Sequence, residues 1–324
     1  MNRLCVALVL LVASVAATSC AGAKRPALQP APPVPGAVLW EEPADIATRD
    51  LYYGPWGREN APDPAGTFTL VELKRSGVNP GMTVEDERGR EWSVKTSQPG
   101  GLDSEGPVEV VVSRLLSAVG YRQPPVYHLP SFRLKDDFGI RVLPGGRFRL
   151  KHDDLKEEGL WQWEENPFVG TRPYQGLLVM LTMFNSTDMK NSNNSVYRYQ
   201  YQKGDVSELW YVVRDIGSAL GDTNRLVPRK NNIAAFAKDP FIVGVDNAHV
   251  EFAYHGWYRL LVQDRISPAE VEWAGDWLSR LSEGQWRDAF RAGGYPPHEA
   301  AQFIAKIKDK IEEGRGLSVR ASRQ

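Results

Sequence analysis

Past its first twenty residues the sequence contains no cysteine; the two it has are Cys5 and Cys20. No pair remains for a disulfide in the folded body, which also excludes thiol catalysis and cysteine-based metal sites there. Neither sign of charge is in excess: 39 Lys and Arg against 40 Asp and Glu leave a formal charge of -1. Such a surface has no bulk attraction for a polyanion, so a nucleic-acid partner is not expected. Internal repeats and heptad seams are also missing. What is present is ordinary globular material: 324 residues, 42% hydrophobic and 24% charged, enough for two lobes around a cleft or two small domains.

The N-terminus departs from this average. Arg3 precedes an apolar run from Leu4 to Ala17, too short for a permanent membrane span, followed by Thr18, Ser19, Cys20, Ala21 and Gly22. That order of charged, apolar and small residues marks residues 1–19 as a secretory signal. The small residues before Cys20 resemble a bacterial lipobox, with Ala17 where Leu is usual. The resemblance implies an exported lipoprotein, anchored to the membrane through lipid on Cys20, at the periplasmic face or the cell surface. A plain signal peptide cut nearby is the alternative. Residues 20–43, rich in Ala and Pro, predict an extended tether.

From Phe68 to Lys95, strand-like runs alternate with turn signals and predict three antiparallel strands. A helix follows from Glu109 to Gly120, then strands over Pro125 to Leu134 and Arg147 to Leu150. Residues 44–135 are thus expected to form a strand-rich N-lobe with one helix, and 136–173 an inserted or linking segment. In 174–324, an apolar helix from Tyr174 to Phe184 and strands at Val196 to Tyr199 and Leu209 to Val213 precede further helices. Two of these open with capping-box residues, Ser267 with Glu270 and Ser282 with Gln285. The expected class is α+β, a small antiparallel-sheet lobe before a larger helical one.

The sharpest local signal is Asn185-Ser-Thr-Asp188-Met-Lys190-Asn-Ser-Asn193-Asn194, then Asp215-Ile-Gly217-Ser-Ala-Leu-Gly221 after a strand. Phosphoryl transfer needs a carboxylate to position the acceptor hydroxyl, an amide or carboxylate on Mg²⁺, and a second carboxylate on the metal between the phosphates. Asp188, Asn193 and Asp215 supply these three. Each alone has a plainer reading, because Asn- and Asp-rich stretches make turns and Asp-x-Gly ends strands.

At these residues the chain resembles the atypical branch of the protein-kinase-like superfamily. Asp188-Met-Lys-Asn-Ser-Asn193 is similar to the Asp-Leu-Lys-Pro-x-Asn catalytic loop of serine/threonine kinases and to the Asp-Arg-His-Asn-Ser-Asn loop of phosphoinositide lipid kinases. Asp215-Ile-Gly-Ser-Ala-Leu-Gly221 resembles the lipid kinases' Asp-Phe-Gly-x-x-Leu-Gly segment, with Ile216 for Phe. Toxin-type and spore-coat-type bacterial kinases, and a group of bacterial proteins carrying Asp-x-Lys-x-x-Asn-Asn and Arg-Asp-x-Gly segments, share the arrangement. The resemblance implies a two-lobed fold, ATP and Mg²⁺ or Mn²⁺ as cofactors, Asp188 and Lys190 as catalytic residues, and Asn193 and Asp215 as metal ligands. It also implies a strand lysine paired with a helix glutamate to orient the phosphates. Lys95 and Glu109 stand at those places, with Glu105 as rival to Glu109.

Two features depart from the family. Ser76-Gly-Val-Asn-Pro-Gly81 is not the Gly-x-Gly-x-x-Gly loop, although Gly77 and Gly81 could let free amides approach a phosphate. An activation segment ending in Ala-Pro-Glu is absent. The expected function is therefore ATP-dependent phosphotransfer to an undefined protein, lipid or small-molecule acceptor at the cell envelope. The alternative is a pseudokinase lipoprotein that binds a nucleotide, ligand or partner without turnover. Trp161 and Trp163 are candidates to line the acceptor site, whereas Trp257, Trp273, Trp277 and Trp286 read as core.

Overall fold

The computed structural model describes residues 27–74, 81–96, 105–201, 206–223, 228–246 and 248–317. The signal segment, Cys20 and Gly77 lie outside them.

The chain enters through two short strands, β1 (Gln29–Pro30) and β2 (Ala37–Val38). Five strands then build a closed barrel: β3 (Thr67–Lys74), β4 (Gly81–Glu85), β5 (Glu91–Thr96), β6 (Val126–Asp136) and β7 (Gly139–Leu150). Their order is β3-β4-β5-β7-β6. Four seams are antiparallel, but β6 meets β3 in parallel, Thr67 opposite Arg133, and so closes the sheet. The sequence predicts an antiparallel sheet; the parallel β3–β6 seam closes it and removes its edges. The inward half of each alternating strand fills the barrel, with Phe68, Val84, Trp92, Val94, Phe132 and Phe148 buried together.

Between β5 and β6 lies α1 (Glu105–Ala118). Its Val110-Val-Val112 run is a poor helix former, and burial decides the outcome, because Val108, Val111, Val112, Leu115 and Leu116 all belong to the larger core. Gly120 ends the turn at φ +104°, where an added Cβ would lie 2.2 Å from the Glu41 carbonyl oxygen, so only glycine fits. The helix begins a turn earlier than predicted, which places Glu109 inside it, only 3% exposed.

The rest of the chain comprises β8 (Leu155–Gly159), β9 (Glu165–Asn166), α2 (Arg172–Met183), β10 (Asn194–Gln200), β11 (Ser207–Val213), α3 (Ile233–Phe236), β12 (Ile242–Asp246), β13 (His249–Phe252), α4 (Pro268–Ser279), α5 (Glu283–Ala292) and α6 (Pro297–Arg315). Helices α2, α4 and α6 pack on one another, and α1 joins the same core through α5. Both predicted capping boxes open their helices, at Ser267 and Ser282. This half is not purely helical: β2, β11, β10 and β8 make a four-stranded sheet. Among the described residues no helix is long and apolar enough to cross a membrane.

Two predicted boundaries move. Residue 136 does not end the strand-rich half, because β7 is a barrel strand paired along β6 from Val126 to Asp136. The supposed tether is docked over its second half. There β1 pairs with β9, β2 pairs with β11, Leu39 is 2% exposed, and the Trp40 indole donates to the Val119 carbonyl at 2.6 Å. Composition spoke against a core for this segment, yet it borrows the core of the body.

Candidate active site

Strand periodicity assembles one half of the site. In the β5–β7 pairing Lys95 stands opposite Arg147 and Ser93 opposite Arg149. Side chains alternate along a strand, so with Trp92, Val94 and Phe148 inside the barrel, Lys95, Arg147 and Arg149 share its outer face. Helix α1 covers that face and brings Glu109 to it. Arg147 Nε donates to Glu109 Oε2 at 3.1 Å and Arg149 Nη2 to Glu109 Oε1 at 2.5 Å. Asp215 Oδ1 accepts from Lys95 Nζ at 2.9 Å and from Arg149 Nη2 at 3.2 Å, with Arg147 Nη2 at 3.8 Å.

Opposed forces fix the protonation of this cluster. Burial pushes the Glu109 carboxyl up, but Arg147, Arg149 and Lys95 together outweigh it and hold the group below its usual range. Burial likewise raises Asp215, and Arg149, Lys95 and Arg147 drive it far down. Both carboxylates are ionised at neutral pH. Lys74, whose Nζ donates to Ser93 Oγ at 2.9 Å, is held below its ordinary value by burial and then by Arg147, Lys151 and Arg149.

The predicted Lys95–Glu109 pair is not formed. Lys95 bonds to Asp215, and Glu109 is taken by the two arginines, which compete better because their planar guanidinium groups reach a buried carboxylate from neighbouring strand positions. The rival Glu105, one turn before Glu109 on the same face of α1, bonds instead to Ser218 Oγ at 3.1 Å and to Lys230. Glycine is needed next to it, because a Cβ on Gly217 would lie 2.5 Å from the Glu105 carbonyl oxygen. Gly81 pairs with Lys95 across β4 and β5, but a Cβ there would make only ordinary contacts, nearest 3.5 Å, so the fold itself does not demand glycine.

Two interlocked loops form the other half. Met189 is 1% exposed and roots the first loop in the core, leaving Asp188 and Lys190 outward on either side. Lys190 Nζ donates to Asp188 Oδ2 at 2.9 Å, and Asn193 Nδ2 donates to the Asp188 carbonyl at 2.7 Å. The second loop is stitched to the first by Thr187 N to Ser218 O at 2.8 Å, Leu220 N to Phe184 O at 2.9 Å and Arg214 N to Asn193 O at 2.9 Å. Asp188, Lys190, Asn193 and Asp215 are therefore parts of one structure. The Lys190 cation is favoured first by its bond to Asp188, and the Asp215 charge also reaches it. Asp215 has φ 55° and Leu220 φ 54°, left-handed conformations that cost about 1–3 kcal/mol each and persist only where surroundings impose them.

A metal bound to a nucleotide needs hard oxygen ligands beside cations for the phosphates. Asp215 spends Oδ1 on its cations, and Asn193 spends Nδ2 on the Asp188 carbonyl, which leaves Asp215 Oδ2 and Asn193 Oδ1 without a hydrogen bond among the described residues. The donor set fits.

Sequence reasoning missed Arg147 and Arg149. The signal was available, since Arg147-Phe-Arg149-Leu in a predicted strand must put both cations on one face. It also missed Tyr258, beside Asp188, whose phenol is raised by burial and then by the Asp188 charge. Trp161 and Trp163 are 4% and 0% exposed and line no acceptor site; Trp161 instead donates to the Val212 carbonyl. Trp257, expected in the core, is 67% exposed. Among the described residues no group of three or more His, Cys, Asp and Glu is arranged to hold a metal.

No protein-family model matches the sequence, and no curated protein does. Solved structures give loose likenesses. The proinflammatory kinase CtkA of Helicobacter pylori is 14% identical, with 80% of this chain and 99% of that one covered, at a TM-score of 0.35. The Golgi casein kinase is 10% identical, with 84% and 76% covered, at a TM-score of 0.27. The same kinase with Mn/ADP bound is 10% identical, with 85% and 76% covered, at 0.26.

Proposed function

We propose that the chain is a metal- and nucleotide-dependent phosphotransferase of two-lobed, kinase-like architecture. The barrel would be the upper lobe and the helical half the lower. One observation carries the reading: Asp215 bonds to Lys95 and Arg149 of the barrel, while its neighbour Arg214 donates through its backbone N–H to the Asn193 carbonyl of the Asp188–Asn193 loop. In this reading Asp188 orients the acceptor hydroxyl and takes its proton, with Lys190 beside it. Asn193 Oδ1 and Asp215 Oδ2 hold Mg²⁺ or Mn²⁺, and Lys95 with Arg149 faces the phosphates. ATP, when bound, supplies the phosphoryl group, and the metal neutralises its charge. The N-terminal segment supports an exported chain held at the membrane through Cys20, with an acceptor in the envelope.

A specific observation favours a second reading, a pseudokinase. Asp215 and Glu109 are already neutralised by the chain's own cations, so the site is electrostatically complete before a metal arrives. Incubation of the purified chain with labelled ATP and Mn²⁺ or Mg²⁺, beside an Asp215→Ala variant, separates the readings. Metal-dependent binding weakened roughly a hundredfold in the variant, about 2.7 kcal/mol, supports the site. Absence of binding with either metal sinks it. Turnover removes the pseudokinase, and binding without transfer to any acceptor tried favours it.

A further inference from the structure

Beneath the two loops lies a polar cluster that the proposed chemistry does not use. Lys310, on α6, is 1% exposed. It interrupts the buried apolar face made by Phe303, Ile307 and Ile311. Its Nζ donates to the Met183 carbonyl at 3.0 Å and to Asn185 Oδ1 at 2.9 Å, and lies 4.3 Å from the centre of the Phe236 ring. Asn185, at φ 55°, donates through Nδ2 to the Gly221 carbonyl at 2.7 Å and to Asp239 Oδ2 at 2.9 Å. Asp239 Oδ2 also accepts from Thr223 N at 3.1 Å. One amide side chain thus ties together the end of α2 that leads to Asp188, the segment that follows Asp215, and α6.

A lysine is a costly occupant for that place. Burial pushes its amine down to about 7, Lys306 adds to the effect, and Asp239 and Glu313 oppose it. For stability alone a methionine of similar length would serve better, since it carries no charge to desolvate. What the amine adds is direction: even uncharged it has two N–H donors for its two acceptors. The Asn185 amide needs such help, because the left-handed backbone and three hydrogen bonds must be met at once.

We infer that Lys310 is a positioning residue that, through Asn185, fixes the Asp188–Asn193 loop against the segment following Asp215. Its functional meaning rests on the phosphotransfer reading, whereas the positioning itself does not. Three variants test it: Lys310→Met, which keeps bulk and removes the donors; Asn185→Gly, which tolerates the left-handed backbone and removes the amide; and the double variant. Amide hydrogen exchange of residues 186–193 and 219–223 is measured on the ligand-free chain, with manganese-ADP affinity measured beside it. Each single variant is expected to speed exchange in both segments roughly tenfold while leaving Val84 and Val94 in the barrel unchanged. The double variant should be no worse than the worse single one, because the two act through each other. Unchanged exchange in either single variant, or effects that multiply in the double, overturns the inference. Should Lys310→Met fail to fold, Asn185→Gly alone decides. If the wild type binds no nucleotide, the phosphotransfer reading falls and the exchange result still judges Lys310.

Discussion

Arg147 and Lys310 are equally hidden, each 1% exposed, but they are compensated by different things. Arg147 stands among charges: Glu109 accepts from it at 3.1 Å, and Asp215 lies 3.8 Å away with Lys95 and Arg149 on the same oxygen. Lys310 stands among dipoles, bonded to a carbonyl and an amide oxygen over an aromatic face. Burial lowers both; Glu109 and Asp215 oppose it at Arg147, and Asp239 and Glu313 oppose it at Lys310, whose amine still falls to about 7. A network of charges can exchange partners with an incoming metal and phosphate. A cluster of dipoles around one cation can only hold backbone in place. In the phosphotransfer reading the barrel side is thus the one that meets a ligand, and the α6 side the one that keeps two loops in register.

Removing the central anion breaks this comparison hardest. Glu109→Ala strands Arg147 and Arg149 in a buried place with only Asp215 between them, and is expected to cost about 3–5 kcal/mol in chemical denaturation at neutral pH. Glu109→Gln keeps the shape and one acceptor oxygen, and should cost clearly less. A Glu109→Ala chain as stable as wild type would mean that the arginines reach water and that the network is not a buried frame.

Titration probes both regions in one protein. The two carboxylates have folded values below their ordinary ones, so their stabilisation is present above about pH 4.5 and is lost as pH falls further. Lys310 runs the other way. Its folded value of about 7 lies below the ordinary 10.5, so the folded state bears the cost of a buried charge in full below pH 7. That cost is relieved as pH rises. Between pH 7.5 and 9.5 stability should climb at up to about 1.4 kcal/mol per pH unit from this group, and the climb should vanish in Lys310→Met. Denaturation midpoints at four or five pH values read it. A parallel pH profile in the two proteins would place Lys310 in contact with solvent.

Much of this contrast was legible in the sequence, on one side only. Asp188, Asn193 and Asp215 stand out because phosphoryl-transfer chemistry asks for those residue types at short spacings, whereas Lys95 and Glu109 are singled out only by what the kinase resemblance implies. Their partners were not legible, because ion pairing is decided by which side chains share a face. The spacing of Arg147 and Arg149 puts them on one face, but that Lys95 shares it follows only from the pairing of β7 with β5, and β7 lies wholly within residues 136–173, which read in the sequence as an inserted or linking segment. Lys310 lies 125 residues from Asn185 on an amphipathic helix, where a lysine reads as solvated until the packing is known. The docking of β1 and β2 was hidden for a related reason: a Pro-rich segment shows no periodicity of its own, and its two short pairings belong to the surface that receives them.

Lys190 should have the smallest effect on the fold, and so it sharpens the contrast from the exposed end. Its pair with Asp188 spans 2.9 Å with the side chains 46% and 35% exposed, and pairs so open to water contribute only about 0–1 kcal/mol. Lys190→Ala is expected to leave the denaturation midpoint almost unmoved. Its charge, favoured by Asp188 and reinforced by Asp215, lies where a transferring phosphoryl group would pass in the phosphotransfer reading. Turnover should therefore fall roughly a hundredfold, while nucleotide affinity changes by no more than about threefold. Denaturation, equilibrium binding and turnover on the same preparation separate the three quantities. If Lys190→Ala destabilised the chain as Glu109→Ala is expected to, the rim of the site would prove as structural as its frame, and the division between charges that hold the fold and charges that serve a ligand would fail.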